Sequence, residues 1–168
     1  MKTKMIFLIA LALVLPALVI ATTIMISNRP IDKNDPELYY VTGNAFAIKN
    51  EYWPAVEQYK KALNLDPSHE RALNNLAFAL NKLGKYANSA AQLEKLIEIA
   101  PQNPSYHYDY AINLALEIKK TGRGKIEDIE KAIEEFKKAD SLEPGFKSVK
   151  ENIEFLGGLK SQYYSQKV

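Results

Sequence analysis

Between residues 37 and 156, apolar side chains recur three and four positions apart, in stretches of about a dozen residues. That spacing lines one face of a helix, and short polar, Gly- or Pro-containing gaps separate the stretches. The pattern predicts seven helices, near 37–49, 52–65, 70–83, 86–99, 104–120, 126–142 and 146–156. Gly157 and Gly158 are expected to end the last one, leaving 157–168 as a flexible polar tail. The beginning of the chain has a different pattern. Residues 5–26 are 22 consecutive residues without a charge and without a polar face.

As a helix, that run would rise about 33 Å, enough to cross a hydrocarbon layer about 30 Å thick. Residues 1–27 therefore read as a transmembrane anchor, with Pro16 tolerated near its middle. The alternative is a signal peptide cut near Ala21, although the run is longer than a usual signal core. Either reading places the rest of the chain on the extracytoplasmic side, across the membrane from Lys2 and Lys4. Residues 28–36 read as a linker in which Pro30 and Pro36 block helix.

The helical stretches repeat. Pro67 and Pro101 are 34 residues apart, and Pro144 lies 43 further on, nine more than the period. Each proline closes an amphipathic segment (ALNLDP, LIEIAP, ADSLEP). Gly43, Ala77 and Ala111 keep the same 34-residue interval, as do Phe46, Leu80 and Leu114. Ala55, Ser89 and Ala132 correspond in the second halves, as do Tyr59, Leu93 and Phe136, with the extra nine before each third member. Small residues let paired helices approach and large ones fill the space between them. A single helical hairpin cannot bury its apolar face alone, so the units must stack.

The period and these residues resemble the tetratricopeptide repeat (TPR). The resemblance covers 36–69, 70–103 and 104–146, with a nine-residue insertion near 117–125 and a cap helix at 146–156. It implies an all-α fold, a right-handed α-α superhelix of about three TPR hairpins over 37–156 plus the cap; the uncharged run at 5–26 is expected to precede it as one transmembrane helix.

Composition narrows the function. The chain of 168 residues has 22 Lys+Arg against 20 Asp+Glu; removing Lys2 and Lys4 leaves a neutral body, which argues against nucleic acid. There is no cysteine, hence no disulfide, thiolate metal site or thiol nucleophile. His69, in the turn PSHE, reads as a solvated turn residue, and His107 as a packed interhelix residue. Neither has the neighbours that a metal site or an acid–base relay needs. Thr121-Gly122-Arg123-Gly124-Lys125 is followed by Ile126 and preceded by no strand, so it reads as a turn rather than a phosphate loop. No enzyme activity, cofactor, metal or small-molecule substrate is expected.

What remains is the groove that the resemblance implies, lined by the first helices of successive units. Its facing positions are Glu37, Tyr40, Asn44 and Ile48, then Arg71, Asn74, Asn75, Phe78 and Lys82, then Ser105, Tyr108, Asp109, Ile112 and Leu116. Asn amides both donate to and accept from a peptide unit, and aromatic rings give rigid contact area. The strongest candidates are Tyr40, Asn44, Arg71, Asn74, Asn75, Phe78, Tyr108, Asp109 and Ile112. Chaperone-binding TPR domains grip a terminal carboxylate with two Asn and three cations. Asn44 and Asn75 match the Asn pair, but the cation positions hold Tyr40, Ser105 and Asp109, so that subtype is not expected. The expected function is a non-catalytic adaptor for a protein or peptide partner, tethered through residues 5–26. A structural protein that oligomerises through its array or anchor is the alternative.

Overall fold

In the computed structural model, residues 32–122, 125–146 and 148–165 are described. The expected anchor, residues 28–31 of the linker and residues 166–168 lie outside them. Among the described residues there are seven helices and no strand: α1 Pro36–Ile48, α2 Tyr52–Leu65, α3 Glu70–Lys82, α4 Tyr86–Ile99, α5 Pro104–Thr121, α6 Ile126–Leu142 and α7 Val149–Ser165. Also among them, no helix is long and apolar enough to cross a membrane. The segment 5–26, on which the expected transmembrane helix falls, lies outside the described residues.

Each helix packs on the next in sequence, and α1 also touches α3. The core accordingly forms three successive clusters. Val56, Tyr59, Leu76 and Leu80 centre the first; Leu73, Leu93, Leu96 and Tyr110 the second; Ile129, Phe136, Val149 and Leu156 the third. The small residues lie where helices come closest. Ala55, Ala77, Ala111 and Ala132 are buried, and buried Ser89 donates to the Ala77 carbonyl at 2.7 Å, joining α4 to α3.

Two local features depart from the sequence reading. Pro36 does not block helix but is the first residue of α1. Its missing N–H would have been unpaired there anyway, and Asp35 caps the turn by accepting from the Glu37 amide at 2.9 Å. Pro104 and Asn103 repeat the device at α5. Next, α7 begins at Val149 rather than 146 and runs through Gly157 and Gly158 to Ser165. Buried Leu156 and a Lys160–Glu130 ion pair at 2.7 Å hold it on either side of the two glycines. Residues 157–165 are therefore helix, not tail. In keeping with the helix expected over 104–120, most of the insertion lengthens α5, which ends at Gly122 with φ +61°, a left-handed cap suited to glycine. The added turn reaches back to the preceding unit: Lys120 donates to the Gly84 carbonyl at 2.7 Å.

Candidate functional site

The first helices α1, α3 and α5 carry the expected groove positions, and side-chain bonds join these helices in series. The Asn44 carbonyl oxygen on α1 accepts from Asn75 on α3 at 2.7 Å and from the Tyr59 hydroxyl at 2.8 Å. Burial, ahead of any other influence, pushes the Tyr59 hydroxyl above its ordinary pKa. Arg71 donates to Glu37, 34 residues earlier, at 2.7 Å, and its guanidinium lies 4.7 Å from the centre of the Tyr40 ring. From α3 to α5, Asn81 donates to Asn113 at 3.0 Å, and Asn113 donates to the Asp109 carbonyl at 2.8 Å.

Tyr40, Asn44, Arg71 and Asn75 are thus brought together. On the same helix as Arg71, Asn74 and Phe78 are exposed; Phe78 keeps 52% of its surface, with Tyr52 edge-on at 6.2 Å and Lys82 at 5.2 Å. In the third unit, Tyr108 and Ile112 pack inward. Tyr108 packs edge-on against Phe136 and Phe146 and accepts from Asn152 of α7 at 3.3 Å. Ile112 packs on the third core cluster. Asp109 is half-buried, and its backbone carbonyl is taken by Asn113.

Both histidines are structural. His69 is not a solvated turn residue: its Nδ1 accepts from the Ala72 amide at 3.2 Å, which caps α3, and its ring lies 5.2 Å from that of Tyr40. A histidine at the cap position does the work of the usual Asp or Ser, and only the fold reveals it. His107 is buried, with Nε2 donating to the Pro101 carbonyl at 2.8 Å and Nδ1 2.6 Å from Glu135. Among the described residues, no group of three or more His, Asp or Glu could hold a metal ion.

Sequence reasoning missed Asn81 and Asn113, Trp53, and the Tyr106–Glu70 contact. Tyr106 donates to Glu70 at 2.5 Å, and burial followed by that bond pushes its pKa up to about 12. The two Asn are 32 apart rather than 34, so the repeat interval does not pair them. Tyr110 is also raised, first by burial, and Lys131, 5.1 Å above its ring, is raised first by its hydrogen bond to Tyr110.

Comparison with known proteins supports the periodicity. A TPR repeat family model matches residues 43–84, and a tetratricopeptide repeat model matches 70–103. The Hsp70-Hsp90 organizing protein 3 of Arabidopsis thaliana is 29% identical over 118 residues, covering 70% of this chain. The chain spans only 18% of that protein's length. Among solved structures, residues 41 to the end of MamA from Desulfovibrio magneticus RS-1 share 27% identity at a TM-score of 0.65, covering 79% of this chain and 70% of that one. The first TPR of Spaghetti (RPAP3), solved bound to HSP90 peptide SRMEEVD, shares the fold at 16% identity and a TM-score of 0.64, covering 78% and 97%. The described part of the chain is an all-α helical repeat fold, and residues 43–103 of it match tetratricopeptide repeat models.

Proposed function

We propose that the protein is a non-catalytic adaptor whose first-helix groove, along α1 and α3, receives a peptide segment of a protein partner. TPR proteins mediate protein–protein interaction, and the Spaghetti domain holds a peptide. The observation that carries the reading is on α3: Arg71, Asn74 and Phe78 stand exposed on one helix, beside the Asn44–Asn75 pair that fixes α3 to α1. This is a rigid base with an aromatic anchor and an amide, the elements peptide recognition uses. The array is taken to wind into a right-handed superhelix, with the groove on its inner side. Tyr108 and Ile112 support its floor rather than touch the partner, because they pack toward α6 and α7. With Tyr40, Ser105 and Asp109 where a carboxylate clamp has cations, the partner is not a terminal-carboxylate peptide of that kind.

The 22-residue uncharged run at 5–26 supports a single-pass tether with the repeats on the extracytoplasmic side, or secretion after cleavage near Ala21. A tether would raise the local concentration of whatever the groove holds.

Tyr40 and Asn75 hold neighbouring helices, so a test must spare them. Asn74→Ala with Phe78→Ala removes two exposed side chains and is expected to keep the wild-type helical signal and melting temperature. Cross-linking of the full chain in membranes, followed by mass spectrometry, compares partners; loss of the wild-type set supports the groove. An unchanged set from the folded variant would remove it. The same spectra identify the mature N-terminus, which decides between anchor and cleaved signal.

A further inference from the structure

On the second-helix side, two equivalent grooves lie one repeat apart. The first, of about 560 Å³, runs between α2 and α4 over α3; the second, of about 490 Å³, lies between α4 and the start of α6 over α5. Corresponding residues line them. Lys60 of the first becomes Glu94 of the second, 34 residues on, and Lys85 becomes Asp128, 43 residues on because of the insertion. Trp53, 55% exposed at the rim of the first, becomes Ala87 in the second. The first groove has three lysines and no acid among its lining residues; the second has three acids and no cation. The same cleft is thus built twice, once basic with a protruding indole and once acidic with a gap where the indole would be.

We propose that these clefts are the two halves of a self-complementary surface, and that the occupant is a second copy of this chain. A two-fold axis between the clefts sets the basic cleft of each copy against the acidic cleft of the other. Trp53 then seats over Ala87 and Ala91, and Lys60 and Lys85 face Glu117 and Asp128. Such a contact is isologous and closes at two copies. The charges are not wholly committed within one chain. Lys60 meets Glu57 only at 3.5 Å on the open surface, and Lys85 lies 5.8 Å from the Trp53 ring centre. Glu94 is held by Lys131 at 3.1 Å, and Asp128 accepts from the Lys125 amide at 3.2 Å at the start of α6. This surface is separate from the first-helix groove, so a dimer would leave the proposed peptide site open.

A charge-swap experiment tests this on the full chain in detergent, by sedimentation at several concentrations. The wild type is expected to dimerise reversibly, more weakly at high salt. Lys60→Glu with Lys85→Glu, and separately Glu94→Lys with Glu117→Lys, should each weaken dimerisation by about tenfold or more. Mixed in equal amounts, the two variants should recover it as a heterodimer. Ala87→Trp, at an exposed position, should block it by filling the gap while leaving the fold intact. A monomeric wild type would overturn the proposal. So would charge-reversed variants that dimerise like the wild type, or a mixture of folded variants that fails to recover dimers.

Discussion

The Tyr59 ring lies so close over Gly43 that no side chain fits there: a Cβ on Gly43 would stand 2.5 Å from Tyr59 Cε1. The ring is fully buried, and its hydroxyl is tied to Asn44. The other two units hold alanine at this position, opposite Leu93 and Phe136 rather than a bonded tyrosine. Gly43→Ala should therefore destabilise by about 1–3 kcal/mol through overpacking, despite alanine's better helix propensity. Tyr59→Leu in the same chain should relieve the overlap, leaving a coupling energy that urea unfolding of the single and double variants measures. A Gly43→Ala protein as stable as wild type would show that the ring can move aside.

His107 joins three segments through polar contacts at both ring nitrogens, to the Pro101 carbonyl and to Glu135. Its replacement by leucine, the residue found at the matching position 73, leaves the Pro101 carbonyl and the Glu135 carboxylate without that partner. A loss of about 1–3 kcal/mol is expected. Glu135→Leu added to His107→Leu should return part of it, since removing both members of a part-buried polar pair costs less than removing one. Chemical denaturation reads both.

The alkaline limit of stability follows from Tyr106. Its hydroxyl ionises at about 12 in the folded chain, above the ordinary 10.0. The folded state therefore keeps its proton where the unfolded state has lost it. The contribution is complete below pH 10 and declines as pH rises through about 12. Burial raises Tyr59 and Tyr110 in the same direction, so they add to the decline. Melting temperatures taken across that range should fall in the wild type and fall less steeply in Tyr106→Phe, which cannot ionise.

Asn81 and Asn113 couple the second unit to the third. Asn113 is buried, and Asn81→Ala removes the donor to its carbonyl oxygen. The expected loss is about 1–3 kcal/mol, the cost of a buried acceptor left unpaired. In a double-mutant cycle with Asn113→Ala, the second substitution should cost less than it does alone. Strict additivity would show that the bond contributes nothing.

Much of the fold was readable because it is local and periodic. Apolar spacing located all seven helices, and the 34-residue interval among small residues marked where they approach. The end of α7 was not readable, because Gly157 and Gly158 weaken a helix by propensity while Leu156 and the Lys160–Glu130 pair hold it through contacts far away in sequence. The groove was readable only in part. Tyr40, Asn44, Arg71 and Asn75 do come together, but the matching positions Tyr108 and Ile112 pack inward, since Phe136 of α6 and Phe146 before α7 give Tyr108 aromatic partners and the third core cluster takes Ile112.

The sequence by itself determined the helical repeat, its neutral body and the absence of thiol chemistry, since these depend on spacing and composition alone. Only the tertiary structure decided which polar residues are exposed on α3 and which serve as bolts between helices. It also decided that His69 caps a helix, and that one cleft is built twice with opposite charge. Those outcomes depend on which side chains from different units meet, and an interval of 34 residues gives the neighbour's position but not the direction in which each side chain points.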